Sequence, residues 1–366
     1  MALRRILTTA TAAALAVTLA ACGSDDEGSG SGGESAGAGG EQAEGKVGVI
    51  LPDTESSVRW ETADRPLLEA AFQEAGIEVD IQNAEGDAQR MSTIADQMIT
   101  GGVTVLAIVN LDSASGAQIQ ERATSQGVQT IDYDRLTLGG SAEYYVSFDN
   151  VEVGRLQGEG LQQCLGPGPK NIAYLNGSPD DNNATLFTQG AKEVLDAVTD
   201  YTVVAEQAVP EWDNQQAVTI FDGMYTQAGG QIDGVYAAND GLGNAVAQVL
   251  ARNNAPTPYA VTGQDATLDG LQNILAGRQC MTVYKPVAQE AEALADLAIQ
   301  LINGEEPSGL DEVEDPEGGR SVPSVLLSPQ SIFRDNVGDV VDDGFVEATE
   351  LCTGEFAAAC TELGIS

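Results

Sequence analysis

From residue 46 onward the chain alternates short apolar runs with amphipathic stretches, and this alternation restricts the fold more than any other feature. The apolar runs cover 47–51, 79–81, 103–109, 128–131, 144–148, 172–175, 203–209, 235–238, 259–261, 281–284 and 322–327. Between them lie stretches with helical spacing, such as 91–99, 114–123 and 287–302. Uninterrupted apolar runs are what strands need when both faces of a sheet are covered. Their alternation with helices predicts an α/β chain with doubly wound parallel sheets. At 366 residues the chain exceeds what one hydrophobic core organises. Two units are therefore expected, roughly 46–149 and 150–284. The later segment 285–327 is too short for a unit of its own and would return to the first.

The residues that follow the apolar runs narrow the function. The run 47–51 leads into Pro52-Asp53, and 128–131 into Asp132-Tyr133-Asp134-Arg135. The run 172–175 leads into Asn176-Gly177-Ser178-Pro179-Asp180-Asp181-Asn182-Asn183, 235–238 into Asn239-Asp240-Gly241, and 259–261 into Thr262-Gly263-Gln264-Asp265. Asn, Asp and Gly at such places make turns and helix caps. In open parallel sheets the strand C-termini also line the ligand crevice, and five clusters at equivalent positions favour a binding cleft.

Several classes of function are excluded. The chain has no histidine, which removes Ser-His-Asp and Cys-His catalysis and histidine metal sites. Its formal net charge of -40 disfavours nucleic acid and anionic membrane surfaces as partners; the acidity itself reads as a solubilising surface. Gly241-Leu242-Gly243 lacks the spacing of a dinucleotide loop, and there is no calcium-loop motif. No cofactor and no metal are expected.

The N-terminus carries Arg4 and Arg5, then an apolar run over 6–21 ending Leu19-Ala20-Ala21-Cys22-Gly23. The run is short and rich in Ala and Thr for a membrane span, and the order of features reads as an export signal. It resembles the lipobox of bacterial lipoproteins, in which Cys22 is acylated. Residues 1–22 are thus expected as signal peptide. Residues 23–45, mostly Gly, Ser, Glu, Asp and Ala, read as a flexible linker. The expected location is the outer face of the cell membrane, held only by the lipid on Cys22.

The candidate site residues suit a polyol. Sugars need planar donors and acceptors for their hydroxyls and an aromatic face for their C–H patches. Asn183, Asn239 and Asp265 supply the first kind, with Arg59, Arg135 and Lys285. Trp60 and Trp212 are the only tryptophans, and both sit in polar loop contexts. Acidic neighbours, Asp134 beside Arg135 and Glu55 and Glu61 around Arg59, suggest mixed charges that pair with one another, a pattern suited to a neutral ligand.

At this point the chain resembles the type I periplasmic sugar-binding proteins, and within them the xylose-binding branch. The matching pieces are Arg59-Trp60 with Asp64-Arg65, Tyr133-Asp134-Arg135, Ser147-Phe148-Asp149-Asn150 with Val153-Gly154, Gly177-Ser178-Pro179 and Asp181-Asn182-Asn183-Ala184. Trp212, Asn239-Asp240, Gly263-Gln264-Asp265-Ala266 and Met281-Thr282-Val283-Tyr284-Lys285-Pro286 follow in order. The resemblance implies sugar contacts at Arg59, Trp60, Asp134, Arg135, Asn183, Trp212, Asn239, Asp265 and Lys285. It implies two lobes joined by a three-segment hinge, with crossings near Asp149, Lys285 and Leu327. The N-terminal lobe would be 46–149 plus 286–327, the C-terminal lobe 150–285 plus 328–366. It further implies a monomeric, non-enzymatic component of an ABC importer that binds D-xylose, or glucose or another aldose, and hands it to permease subunits. A sugar sensor feeding a chemoreceptor or kinase is the alternative, and a carboxylate-only glycosidase a lesser one. The acidic insert 311–319, the tail 339–366 and the extra cysteines depart from the family pattern.

Of five cysteines, Cys22 is assigned to the lipid, and the other four suit two disulfides in an exported chain. Helices that follow cleft-directed strands end at the far edge of a lobe. Cys164 closes the helical stretch 151–164 and Cys280 opens the run 281–284, so both belong at that edge. The expected pairs are Cys164–Cys280 and Cys352–Cys360.

Overall fold

A computed structural model describes residues 45–365; the expected signal peptide, Cys22 and the linker up to residue 44 lie outside the described residues. Seven strands form the first sheet: β1 (Lys46–Leu51), β2 (Glu78–Asn83), β3 (Val105–Ile108), β4 (Gln129–Tyr133), β5 (Tyr144–Phe148), β11 (Asp311–Asp315) and β12 (Arg320–Leu327). Their order is β11-β12-β5-β4-β3-β1-β2, parallel throughout except for the β11–β12 pair. Four strands form a second, wholly parallel sheet: β6 (Lys170–Asn176), β7 (Tyr201–Ala208), β8 (Gly234–Ala237) and β9 (Ala260–Val261), in the order β7-β6-β8-β9. Beyond β9, β10 (Met281–Tyr284) pairs antiparallel with β13 (Gln330–Phe333). It also meets the β9 segment, Cys280 N–H donating to Val261 O at 2.8 Å and Val283 N–H to Gly263 O at 3.1 Å.

Helices cover both faces of each sheet because their apolar stripes demand it. On one face of the first sheet lie α1 (Arg65–Ala75) and α9 (Val287–Ile302), packing Leu68, Phe72, Leu294 and Leu297 onto Val49, Ala107 and Ile131. On the other lie α2 (Ala88–Thr100) and α3 (Ser113–Ser125), through Met91, Ile94, Met98 and Ile119. The second sheet is covered by α4 (Asn150–Leu165), α5 (Asn182–Leu195), α6 (Asn214–Gln227) and α7 (Asp240–Arg252). A further helix of that half, α8 (Leu268–Leu275), shares a separate core with Tyr284, Ile332 and the tail residues Val337, Val340, Leu351 and Cys360.

The chain passes between the halves at three places: between β5 and α4, between β10 and α9, and between β12 and β13. Two crossings are tied together by Asp149 N–H donating to Leu327 O at 3.0 Å. Cys164 and Cys280 are bonded to each other, as are Cys352 and Cys360.

Three strands that lie at sheet edges bear on the sequence reading. The acidic insert supplies one of them: Asp311-Glu312-Val313-Glu314-Asp315 adds an antiparallel strand at the edge, and its charges guard that edge against further strand pairing. β13, Gln330-Ser331-Ile332-Phe333, has two apolar residues, too few for an apolar run. The run expected at 203–209 is an edge strand with one neighbour, and Val203 remains 44% exposed.

Candidate ligand-binding cleft

Each polar cluster at a strand end first does local work. Asp181 caps α5 by accepting from Asn183 N–H, Asp213 caps α6, Asn239 caps α7 by accepting from Leu242 N–H, and Thr267 caps α8. The capping reading of these residues is therefore correct as far as it goes. The same turns also deliver side chains to one cleft between the halves. Its lining includes every expected contact: Arg59, Trp60, Asp134, Arg135, Asn183, Trp212, Asn239, Asp265 and Lys285. Ser56, Ser57, Asp181, Phe187 and Gln264 line it too.

Arg59 is the centre of the first half's contribution. It precedes a π-helical turn, Trp60–Asp64, in which Arg65 N–H donates to Trp60 O, five residues back. That wide turn brings Asp64 round to Arg59, whose Nε and Nη2 donate to the two Asp64 oxygens at 2.8 Å each. Nη2 also donates to Glu290 Oε2 at 2.6 Å, and Nη1 to Asp134 Oδ2 at 3.0 Å. A guanidinium has five N–H donors. Four are thus used by protein, and one Nη1–H is left for the cleft. Burial alone would lower the Arg59 pKa, but Asp64, Glu290 and Asp134 raise it well above its usual value.

The sequence neighbours expected to pair with these cations do not. Glu61 bonds Arg65, not Arg59. Arg135 turns away from Asp134 and meets Asp181 across the cleft, Nε to Oδ2 at 3.1 Å. Asp134 has φ 61°, a left-handed backbone uncommon outside glycine. In that conformation its carbonyl accepts from Ser147 Oγ and Asn183 Nδ2, at 2.8 and 2.9 Å. Its carboxylate accepts from Arg59 and from Asn183 Nδ2 at 3.0 Å each. Burial would push the Asp134 carboxyl up, but Lys285, Arg59 and Arg135 together hold it below the usual range.

Lys285 arrives on the β10-to-α9 crossing. Its Nζ lies 3.0 Å from Asp265 Oδ1 and 3.9 Å from Asp134 Oδ2, so it links a carboxylate of each half. Asp265 also has a left-handed backbone, φ 93°, and accepts from Ser57 Oγ at 3.3 Å. Non-glycine residues held in such conformations cluster at ligand sites. Trp212 is a third case, φ 55°; its indole N–H donates to Asp181 Oδ2 at 3.1 Å. Gly177 makes room for this ring, because a Cβ there would lie 2.0 Å from it. Trp60 donates its N–H to Ser56 Oγ at 3.0 Å, and the guanidiniums of Arg59 and Arg135 lie 4.5 and 5.6 Å from its ring.

The electrostatic result is a site whose three cations all have carboxylate partners within the protein. It presents N–H donors, carbonyl and carboxylate acceptors and aromatic faces, with little unpaired positive charge to hold an anion. Gln264 adds a buried Oε1 with no hydrogen-bond partner among the described residues. Sequence reasoning quoted Gln264 and Asp181 within motifs without assigning them to the site. It missed Glu290 altogether. The available signal was its place on the buried stripe of α9, with Val287, Ala291 and Leu294. Among the described residues no group of His, Cys, Asp and Glu is arranged to hold a metal, and no helix is long and apolar enough to cross a membrane.

Residues 47–306 match the periplasmic binding protein domain. The chain belongs to that family. This binding protein is 34% identical over 312 residues to the D-xylose-binding periplasmic protein of Escherichia coli (strain K12), a match covering 84% of this chain and 93% of the relative. It is 31% identical over 331 residues to a multiple sugar-binding periplasmic receptor of Rhizobium radiobacter, covering 84% and 92%. Among solved structures, a carbohydrate transporter solute binding protein from Chloroflexus aurantiacus in complex with D-glucose superposes with TM-score 0.77 at 28% identity, covering 83% of this chain and 97% of that one. The two sheets and three crossings are the type I arrangement of this family.

Proposed function

We propose that this binding protein is an exported lipoprotein that holds a single aldose in the cleft and presents it to the permease of an ABC importer. D-xylose is the first choice and glucose the nearest alternative. One observation carries the reading: a buried, internally charge-paired set of donors and acceptors flanked by two indoles, with both halves of the molecule contributing. The named ligands of the relatives support it. The chain has no catalytic role in this reading, and Cys22 carries the lipid. The two lobes, 46–149 plus 286–327 and 150–285 plus 328–366, would close on the sugar as bodies, because a ligand touching both favours the closed form by its differential contacts.

Asp265→Ala is expected to weaken binding far more than stability. Lys285 would keep Asp134 as a partner, so no buried cation is stranded. A ligand hydroxyl left unpaired costs about 1–3 kcal/mol, or roughly 5- to 150-fold in affinity. Titration calorimetry over xylose, glucose, arabinose, ribose and galactose ranks the ligands. Repeating it on the variant tests the site: an unchanged affinity would remove Asp265 from it.

A further inference from the structure

We propose that Gln264 is a direct, specificity-determining contact of the ligand, its side-chain amide hydrogen-bonding one hydroxyl of the sugar. This rests on the reading of the cleft as a sugar site. Gln264 follows β9 and is only 4% exposed. It borders the inner chamber between the halves and neither of the two wider spaces that flank it. Arg135 and Trp212 border one of those spaces as well, and Asn239 and Asp265 the other. What meets the Gln264 side chain is therefore what occupies the chamber. Its Oε1 is buried and has no hydrogen-bond partner among the described residues. A buried amide oxygen is costly to leave unpaired, so the group asks for a partner from outside the chain.

The other amides of the cleft are already committed. Asn183 donates from Nδ2 to the carbonyl and the carboxylate of Asp134, at 2.9 and 3.0 Å, and accepts at Oδ1 from Asn150 Nδ2 at 2.9 Å. Asn239 accepts at Oδ1 from Leu242 N–H at 2.9 Å and donates from Nδ2 to Ser56 O at 3.2 Å. Gln157 and Gln279 each have a bare Oε1 too, but neither lines the cleft. Both are anchored through Nε2, Gln157 to Ala237 O and Gly263 O at 3.1 Å each, and Gln279 to Asp240 Oδ1 at 2.7 Å. Of these amides, Gln264 alone combines a place in the lining with an oxygen free of hydrogen bonds among the described residues. The Oδ1 of Asp265 also lacks a hydrogen bond, but Lys285 Nζ stands 3.0 Å from it.

The chemistry of the missing partner follows from the amide. A hydroxyl both donates and accepts, so it can serve either end of the group. A fully ionised phosphate or carboxylate has no O–H to give the oxygen, and a C–H leaves it unpaired. A site built around such an amide rejects the analogue that lacks the hydroxyl. The backbone holds the residue in place. Asp240 N–H donates to Gln264 O at 3.0 Å, Asp265 N–H to Val283 O at 2.9 Å and Val283 N–H to Gly263 O at 3.1 Å. None of these bonds uses the Gln264 side chain, so the turn does not depend on the amide.

The test pairs Gln264→Met, unbranched and apolar, with the monodeoxy analogues of D-xylose, or of the aldose that ranks first, one hydroxyl removed in each. By calorimetry the variant should bind the parent sugar roughly 5- to 150-fold more weakly than wild type. One analogue should lose as much on wild type and no more than about threefold further on the variant, because that hydroxyl and the amide are each other's partner. The unliganded variant should unfold at a denaturant midpoint no lower than that of wild type, since an apolar side chain replaces an unpaired amide. An unchanged affinity for the parent sugar, the result if solvent serves the amide, would overturn the inference. So would a loss that couples to none of the hydroxyls, or a midpoint that falls together with the affinity, which would make the amide structural. If Gln264→Met does not fold, Gln264→Leu takes its place; failure of both to fold would overturn the inference as well. Absence of binding by wild type to any aldose would instead overturn the functional reading, and this inference with it.

Discussion

Arg59→Met should destabilise the whole protein by roughly 3–5 kcal/mol, because it strands buried carboxylates without their counter-charge. Three carboxyls meet this guanidinium, from Asp64, Glu290 and Asp134. Each lies within 5% of full burial. Asp134 would retain Lys285 and Asn183, and Asp64 would retain the Tyr133 hydroxyl at 2.8 Å. Glu290 would retain no hydrogen-bond donor among the described residues. The expected loss is a large share of the 5–15 kcal/mol typical of a folded domain. It should also depend on pH in a definite sense. Without the cation, the Glu290 carboxyl, which burial already pushes up to about 8, loses the guanidinium that favours its anion and rises further above its unfolded value. The native state then binds more protons than the unfolded state, so the variant loses stability as pH rises and regains it toward about pH 5. Urea unfolding at two pH values measures both effects. A loss under about 1 kcal/mol, equal at both pH values, would show that the network is not what holds this part of the cleft.

The second large effect concerns the disulfides. The Cys164–Cys280 bond joins the end of α4 to the start of β10 across a separation of 116 residues, whereas Cys352–Cys360 spans 8. Chain-entropy reasoning gives about 4.9 kcal/mol for the long loop and about 2.5 for the short one. The double variant Cys164→Ala/Cys280→Ala should therefore lose about twice what Cys352→Ala/Cys360→Ala loses. Non-reducing peptide mapping checks the pairing, and denaturant midpoints check the order. A larger loss for the tail clip would show that the tail core around Leu351 and Cys360 matters more to stability than closure of the long loop.

The legibility of this molecule in its sequence follows from which residues act alone and which act in pairs. The helix at 287–302 is readable because its apolar stripe is continuous, and the structure has α9 over those residues. The central strands with apolar runs are readable because both faces are covered. β11 and β13 are not, because an edge position lets polar residues serve as strand. The expected site residues lie together because strand C-termini in parallel sheets share one edge, a rule that needs no knowledge of contacts. Pairing is harder. Asp134 and Glu290 are 75 and 231 residues from Arg59, and the acidic neighbours in sequence gave the wrong partners. Only the placement of one carboxyl on an apolar helix face marked Glu290 at all.

The most direct test uses the chain's own reporters. Trp60 and Trp212 are its only tryptophans, and both line the cleft. A sugar seated there must change their surroundings, so tryptophan emission should change saturably with D-xylose or D-glucose, with half-saturation on the order of micromolar, about 8 kcal/mol of binding. Trp212→Phe should remove most of that change while leaving a calorimetrically measurable affinity. Emission that stays constant for xylose, glucose, arabinose, ribose and galactose up to about 1 mM, where only about 4 kcal/mol of binding would be needed, would contradict the assignment of this cleft to an aldose.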